Sequence, residues 1–286
     1  MTMPVLVSAR WLLAQWGAPD LLVFDASWYL PIEQRDARLE YRRAHIPGAR
    51  FFDIDAISDP ESTLPHMLPG AARFERMVGA LGVANTSRVV FYDQKGLFSA
   101  PRAWWMMRLF GHAACAVLDG GLAQWRRAGG ELAQGEEPPP AAASYRASLH
   151  ARHLRGLGDM LENLGSGREI VLDARPAERF EARAPEPRPG VPGGHIPGSR
   201  NLPYTELLTE QQTLRPPEQL RACFAARGVD AHSHVVTTCG SGMSAAVLTL
   251  ALQVAGLAPG ALYDGSWTEW ALRPDTPRAG APRPGE

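Results

Sequence analysis

Val235-Val236-Thr237-Thr238-Cys239-Gly240-Ser241-Gly242-Met243-Ser244-Ala245 passes from a strand into a helix through a loop of small residues. The β-branched run up to Thr238 has the composition of a buried strand. From Ala245 to Leu257 the chain reads AAVLTLALQVAGL, long, apolar and rich in helix formers, which predicts a core helix. Two glycines and two serines between them let the backbone curl and aim its N–H groups inward. Such groups at a helix N-terminus attract an anion. The residue placed to be that anion is Cys239, since the thiolate is the nucleophilic form of a cysteine. Cys239 therefore reads as a nucleophile. Cys115, in the apolar run Ala113–Leu118, and Cys223, on an amphipathic helix over Pro217–Arg227, have no such loop and read as small buried hydrophobes.

Working outward, the strand has a counterpart earlier in the chain. Val89-Val90-Phe91-Tyr92-Asp93 matches Val235–Cys239, and Asp25-Ala26-Ser27 matches Asp173-Ala174-Arg175. His45-Ile46-Pro47-Gly48-Ala49 matches His195-Ile196-Pro197-Gly198-Ser199. Leu118-Asp119-Gly120-Gly121 with Trp125 matches Tyr263-Asp264-Gly265-Ser266 with Trp270. The four offsets are all about 145 to 150 residues and keep one order, which is the signature of an internal repeat. The chain thus divides into an N-terminal domain over 1–130, a linker over 131–145 and a C-terminal domain over 146–286. Gly129 to Ser144 (GGELAQGEEPPPAAAS) reads as a surface linker, and the proline-rich stretch from Arg273 to Glu286 as a frayed tail.

Within each copy, short aliphatic runs alternate with helical segments such as Ala71–Leu81. That alternation predicts an α/β fold, two tandem domains each built on a parallel sheet flanked by helices. Ligands of such sheets gather outside the carboxyl ends of the strands, where Asp93 and Cys239 stand. A carboxylate is no sulfur nucleophile, so Asp93 marks the first copy as non-catalytic.

Composition narrows the function. The 286 residues carry 45% hydrophobic and 21% charged residues and a formal net charge of −1, which gives no footing for nucleic acid or an anionic membrane. No stretch reaches the ~18 apolar residues of a membrane span. Three scattered cysteines form no disulfide framework, and Met1–Trp16 lacks a leader pattern, so a cytoplasmic protein is expected. His232-Ser233-His234 lacks the further ligands a metal site needs, and neither metal nor organic cofactor is expected.

These motifs resemble the rhodanese superfamily of sulfurtransferases: the HIPGA and HIPGS turns, Asp119-Gly120-Gly121, Asp264-Gly265-Ser266-Trp267, the Cys-Gly-Ser-Gly loop, Ser99-Ala100-Pro101-Arg102 and Glu186-Pro187-Arg188. Within it the chain is most similar to the branch that takes sulfur from 3-mercaptopyruvate. The resemblance covers about Val5 to Arg273. It implies two rhodanese-like domains and a donor carboxylate gripped by Arg179 and Arg188, a task to which guanidinium forks are suited. It implies a loop pocket of Gly240, Gly242, Met243 and Ser244, and a serine–histidine–aspartate relay matched by Ser241, His45 and Asp36. Relatives continue the loop Gly-Val-Thr-Ala where this chain has Gly242-Met243-Ser244-Ala245, a departure that bears on substrate range.

The implied chemistry is attack of Cys239 on the donor sulfur, a Cys239 persulfide, release of pyruvate, and transfer to cyanide, a small thiol or a thioredoxin-like dithiol. Thiosulfate:cyanide sulfurtransfer and a non-enzymatic persulfide carrier are the alternatives. Thiosulfate enzymes carry basic side chains after the cysteine, whereas Gly240 and Ser241 are neutral. A phosphatase of this shape needs Cys-x5-Arg, and the sixth residue after Cys239 is Ala245.

Overall fold

A computed structural model of the chain describes residues 3–280. They form two compact units. The first takes residues up to 61, 68–150 and 209–214; the second takes 62–67, 151–208 and those from 215 on. The two halves of the sequence thus each lend a short segment to the other's unit, which a contiguous division does not foresee.

Unit 1 runs β1 (Leu6–Val7), α1 (Ala9–Gln15), β2 (Leu21–Asp25), α2 (Ala37–Arg43), β3 (Arg50–Phe51), α3 (Ile54–Ile57), α4 (Ala71–Ala80), β4 (Arg88–Tyr92), α5 (Ala100–Leu109), β5 (Cys115–Leu118) and α6 (Gly121–Arg127). Its sheet is parallel throughout, in the order β1-β5-β4-β2-β3. Unit 2 repeats the plan with β6 (Leu154–Arg155), α7 (Leu157–Ser166), β7 (Ile170–Asp173), α8 (Ala177–Phe180), β8 (Arg200–Asn201), α9 (Pro217–Ala225), β9 (Val235–Thr238), α10 (Ala245–Val254), β10 (Ala261–Tyr263) and α11 (Ser266–Leu272). Its order is β6-β10-β9-β7-β8, again all parallel. The α/β fold and the internal repeat read from the sequence are both present.

The middle strands β4 and β9 are buried almost end to end, as expected of strands covered on both faces. Their helices differ from an ordinary amphipathic one: α10 is buried from Ala245 through Leu252, and α5 is nearly as enclosed. A helix apolar all round belongs in a core. By contrast α4 buries one stripe, with Phe74 and Val78 inside. Truncating a side chain such as Leu250 to alanine would cost about 2 to 5 kcal/mol.

The proline-rich stretch after Gly129 lies along unit 1 in an irregular path. Ala133 bridges His45 antiparallel, Gly135 N–H donates to Arg42 O at 2.8 Å, and Ala143 N–H donates to Gly79 O at 2.9 Å. Gly79 has to be glycine, since a Cβ there would stand 2.5 Å from the Ala143 carbonyl oxygen. The expected frayed tail is corrected as far as residue 280. Ala279 bridges His195, and Trp270 Nε1 donates to Pro277 O at 2.7 Å. Residues 1, 2 and 281–286 lie outside the described part. No helix among the described residues is long and apolar enough to cross a membrane.

Candidate active site

Cys239 follows the last residue of β9, at the carboxyl end of the middle strand of unit 2, and is 2% exposed. Its backbone is fixed on both sides by α11. Cys239 N–H donates to Ser266 Oγ at 3.3 Å, and Trp267 N–H donates to Cys239 O at 2.9 Å. Gly240 O accepts from Thr268 N–H at 3.0 Å and from Thr268 Oγ1 at 2.6 Å. The loop then reverses at Gly242, whose φ of 76° lies in the left-handed region that favours glycine. Ser241, Met243 and Ser244 are buried beneath it. The N–H groups of Met243, Ser244 and Ala245, in the first turn leading into α10, have no protein acceptor among the described residues.

Unit 1 shows what such a turn accommodates. There Asp93 occupies the place of Cys239. Its Oδ2 accepts the N–H groups of Phe98 at 2.9 Å, Ser99 at 3.0 Å and Ala100 at 2.9 Å, while Oδ1 accepts Lys95 N–H at 2.9 Å. Ala100 opens α5 as Ala245 opens α10. One copy therefore spends its nest of amides on its own carboxylate, an anion held by peptide dipoles.

Beside the unit 2 loop lies a network of buried charge. Arg179, on α8, brings Nη2 to 3.0 Å from the point where a Cβ on Gly240 would sit, so a larger residue at 240 would push the guanidinium away. Glu186 takes Arg179 Nε at 3.3 Å and grips Nη2 as well, and the same carboxylate accepts Arg175 Nη1 at 2.8 Å. Arg175 is itself buried, with its fork on Asp173 (Nη2 to Oδ2, 2.7 Å) and its face 4.7 Å from the Trp267 ring. Burial works against its charge, but Asp173 and Glu186 outweigh burial and hold this guanidinium above its ordinary value. Arg179 keeps Nη1 without a partner among the described residues.

The second arginine of the expected clamp belongs to the same unit. Arg188 Nη2 donates to His66 Nε2 at 3.1 Å. His66 is 6% exposed, has a φ of 62°, and lies in the segment that the first half of the chain lends to unit 2. A ring nitrogen that accepts from a guanidinium places the histidine's proton on Nδ1. The sequence reading missed His66; its signal was a histidine between two prolines, Pro65 and Pro69.

The relay residues expected in the first copy each have local partners. His45 bonds Tyr41 O through Nδ1 at 3.0 Å and Glu137 Oε1 through Nε2 at 3.2 Å, and stacks on the Tyr41 ring. His195 in the second copy does much the same, with Nδ1 at 2.8 Å from Phe180 O and its ring stacked on Phe180. Both are turn histidines. Both ring nitrogens of His45 have partners inside unit 1. Asp36 caps α2, accepting Leu39 N–H at 2.9 Å, an N-cap role.

Cys115 lies fully buried in β5, where burial pushes its thiol up to about 12, far from a nucleophile's range. Cys223 is half-buried on α9.

A family model of the rhodanese-like domain matches the chain twice, over residues 8–128 and 157–273. Human 3-mercaptopyruvate sulfurtransferase is 46% identical over 274 residues, 94% of this chain and 92% of that protein. Chicken thiosulfate sulfurtransferase is 42% identical over 275 residues, 94% of this chain and 93% of that one. Among solved structures, SseA from Escherichia coli, reported under the heading of 3-mercaptopyruvate sulfotransferases, superposes with a TM-score of 0.81 at 38% identity, covering 93% of this chain and 99% of that one. The chain belongs to the rhodanese family, and carries its domain twice.

Proposed function

We propose that the protein is a sulfurtransferase that takes sulfur from 3-mercaptopyruvate through a persulfide on Cys239. The observation that carries the choice of donor is Arg179 lying against Gly240, with Arg188 in the same unit and no basic side chain at 240 or 241. A paired guanidinium clamp suits the planar carboxylate of a keto acid. The names of the human and Escherichia coli relatives support the same donor.

In the proposed step the Cys239 thiolate attacks the donor sulfur. The new S–S bond forms as the donor's C–S bond breaks, and the electron pair leaves as the enolate of pyruvate. The proton of the donor thiol ends on the enolate carbon, giving pyruvate and an anionic persulfide. Ser241, two residues along the same loop, offers its hydroxyl to the developing enolate oxygen. The amides of Met243, Ser244 and Ala245 receive the outer sulfur anion, as their counterparts in unit 1 receive the Asp93 carboxylate. A thiophile (cyanide, a small thiol or a protein dithiol) then removes that sulfur. The step uses only the chain's own groups. Three free cysteines fit a reducing compartment such as the cytoplasm.

A thiosulfate donor is the second reading, favoured by the 42% identity to the chicken enzyme. Comparing kcat/KM for the two donors tests the choice. The proposal expects 3-mercaptopyruvate to win by at least about tenfold, a 1.4 kcal/mol difference. Preference for thiosulfate would reverse it.

A further inference from the structure

The two copies of the fold act as each other's control, and they differ at one buried position next to the nucleophile. In unit 1, Leu122 N–H donates to Asp93 O at 3.2 Å; in unit 2, Trp267 N–H donates to Cys239 O at 2.9 Å. The residues just before those donors, Gly121 and Ser266, are therefore equivalent. Both have left-handed backbones, with φ of 57° and 52°. In unit 1 the position has to be glycine: a Cβ would stand 2.1 Å from Asp93 O. In unit 2 it is a serine, fully buried, held in a conformation that glycine would adopt without strain. Room for its Cβ comes with a change one residue earlier, where Gly120 has φ 72° and Gly265 has φ −63°.

A strained side chain in place of an easy glycine calls for a return, and the hydroxyl supplies it. Ser266 Oγ donates to Tyr263 O at 2.9 Å and accepts the N–H of Cys239 at 3.3 Å. That amide lies just past the end of β9, where the ladder with its neighbours stops. Without the hydroxyl it would be a buried donor lacking an acceptor. We infer that Ser266 is a positioning residue for the sulfur-transfer step: its hydroxyl fixes the backbone of Cys239, and so sets where the sulfur stands relative to the loop amides. The inference deepens the proposed function and rests on Cys239 being its nucleophile.

Two variants test it. Ser266→Gly removes the hydroxyl and the backbone strain together; Ser266→Ala removes only the hydroxyl. For both, the expected result is a fall in kcat of about tenfold with KM for 3-mercaptopyruvate within about twofold, the pattern of a lost transition-state alignment. Iodoacetamide labelling of Cys239, followed by peptide mass, should slow in step. The melting midpoint of Ser266→Gly should lie above that of Ser266→Ala, because glycine sheds the backbone strain, while kcat and labelling fall alike in both; a merely structural role would make activity follow the melting midpoint. Wild-type kcat and labelling in Ser266→Gly would overturn the inference, as would a loss carried mainly by KM. Labelling needs no donor, so if the wild type fails to turn over 3-mercaptopyruvate, the donor assignment falls while labelling alone still decides the role of Ser266.

Discussion

Glu186 holds Arg179 by two nitrogens of one guanidinium, Nε and Nη2, and turns its Nη1 end away from the pair. The carboxylate is 3% exposed and serves the buried Arg175 as well, so a single acid orients Arg179 and balances charge in the core.

Replacing it exposes both tasks. Breaking one partner of a buried ion pair costs about 3 to 5 kcal/mol, and Arg175 keeps its Asp173 fork, which softens the loss. Glu186→Gln is expected to lower the unfolding free energy by about 2 kcal/mol and to raise KM for 3-mercaptopyruvate, because Arg179 loses its fixed orientation. Urea denaturation and donor kinetics check the two effects. An unchanged KM would show that Arg179 orients itself.

His66 acts through the Arg188 guanidinium that donates to it, so the effects of the two residues should not add. Arg188→Gly is expected to raise KM for 3-mercaptopyruvate by about tenfold or more, the value of a charge-assisted contact. His66→Ala should raise it less, and the double variant should match Arg188→Gly alone. Additive losses in a double-mutant cycle would separate the two residues.

Asp93 offers a stability test in the copy without the cysteine. Asp93→Asn keeps the shape but turns one acceptor oxygen into a donor, which must face either Lys95 N–H or the three amides of Phe98, Ser99 and Ala100. A loss of about 1 to 3 kcal/mol follows from leaving buried donors unpaired. Chemical denaturation would contradict this by finding no change.

Asp25, at the end of β2, gives unit 1 a pH dependence. Burial pushes its carboxyl up from the ordinary 3.8 to about 6, against the hydrogen bonds from Ser27 and Gln94. The folded state therefore binds this proton more tightly than the unfolded chain. The stabilisation is full below about pH 4 and is lost as pH rises through about 6, a change on the order of 3 kcal/mol. Relative to Asp25→Asn, the wild type should gain stability by that order on going from pH 8 to pH 4. A pH-independent difference between the two would refute the assignment.

Much of this was legible in the sequence because it is local. The strand-loop-helix around Cys239, the Gly242 turn and the core helix α10 follow from composition over short windows, and the repeat follows from matched motifs. The two turn histidines could not be told apart in the sequence for a physical reason. His45 and His195 recur because both brace the same turn against a carbonyl and an aromatic ring, so repetition there marked structure. The residues peculiar to unit 2 carry the site's special features: Cys239 against Asp93, Ser266 against Gly121, and His66 from a borrowed segment. The Asp173–Arg175–Glu186–Arg179 network was hidden because its members meet only through the fold.

The sulfur of Cys239 is the centre of the account, and intact-mass measurement reads it directly. Wild-type protein incubated with 3-mercaptopyruvate should gain one sulfur, lose it to cyanide, and release pyruvate in proportion. Cys239→Ser should show neither adduct nor pyruvate, and a variant that still produced pyruvate would contradict the assignment of the nucleophile.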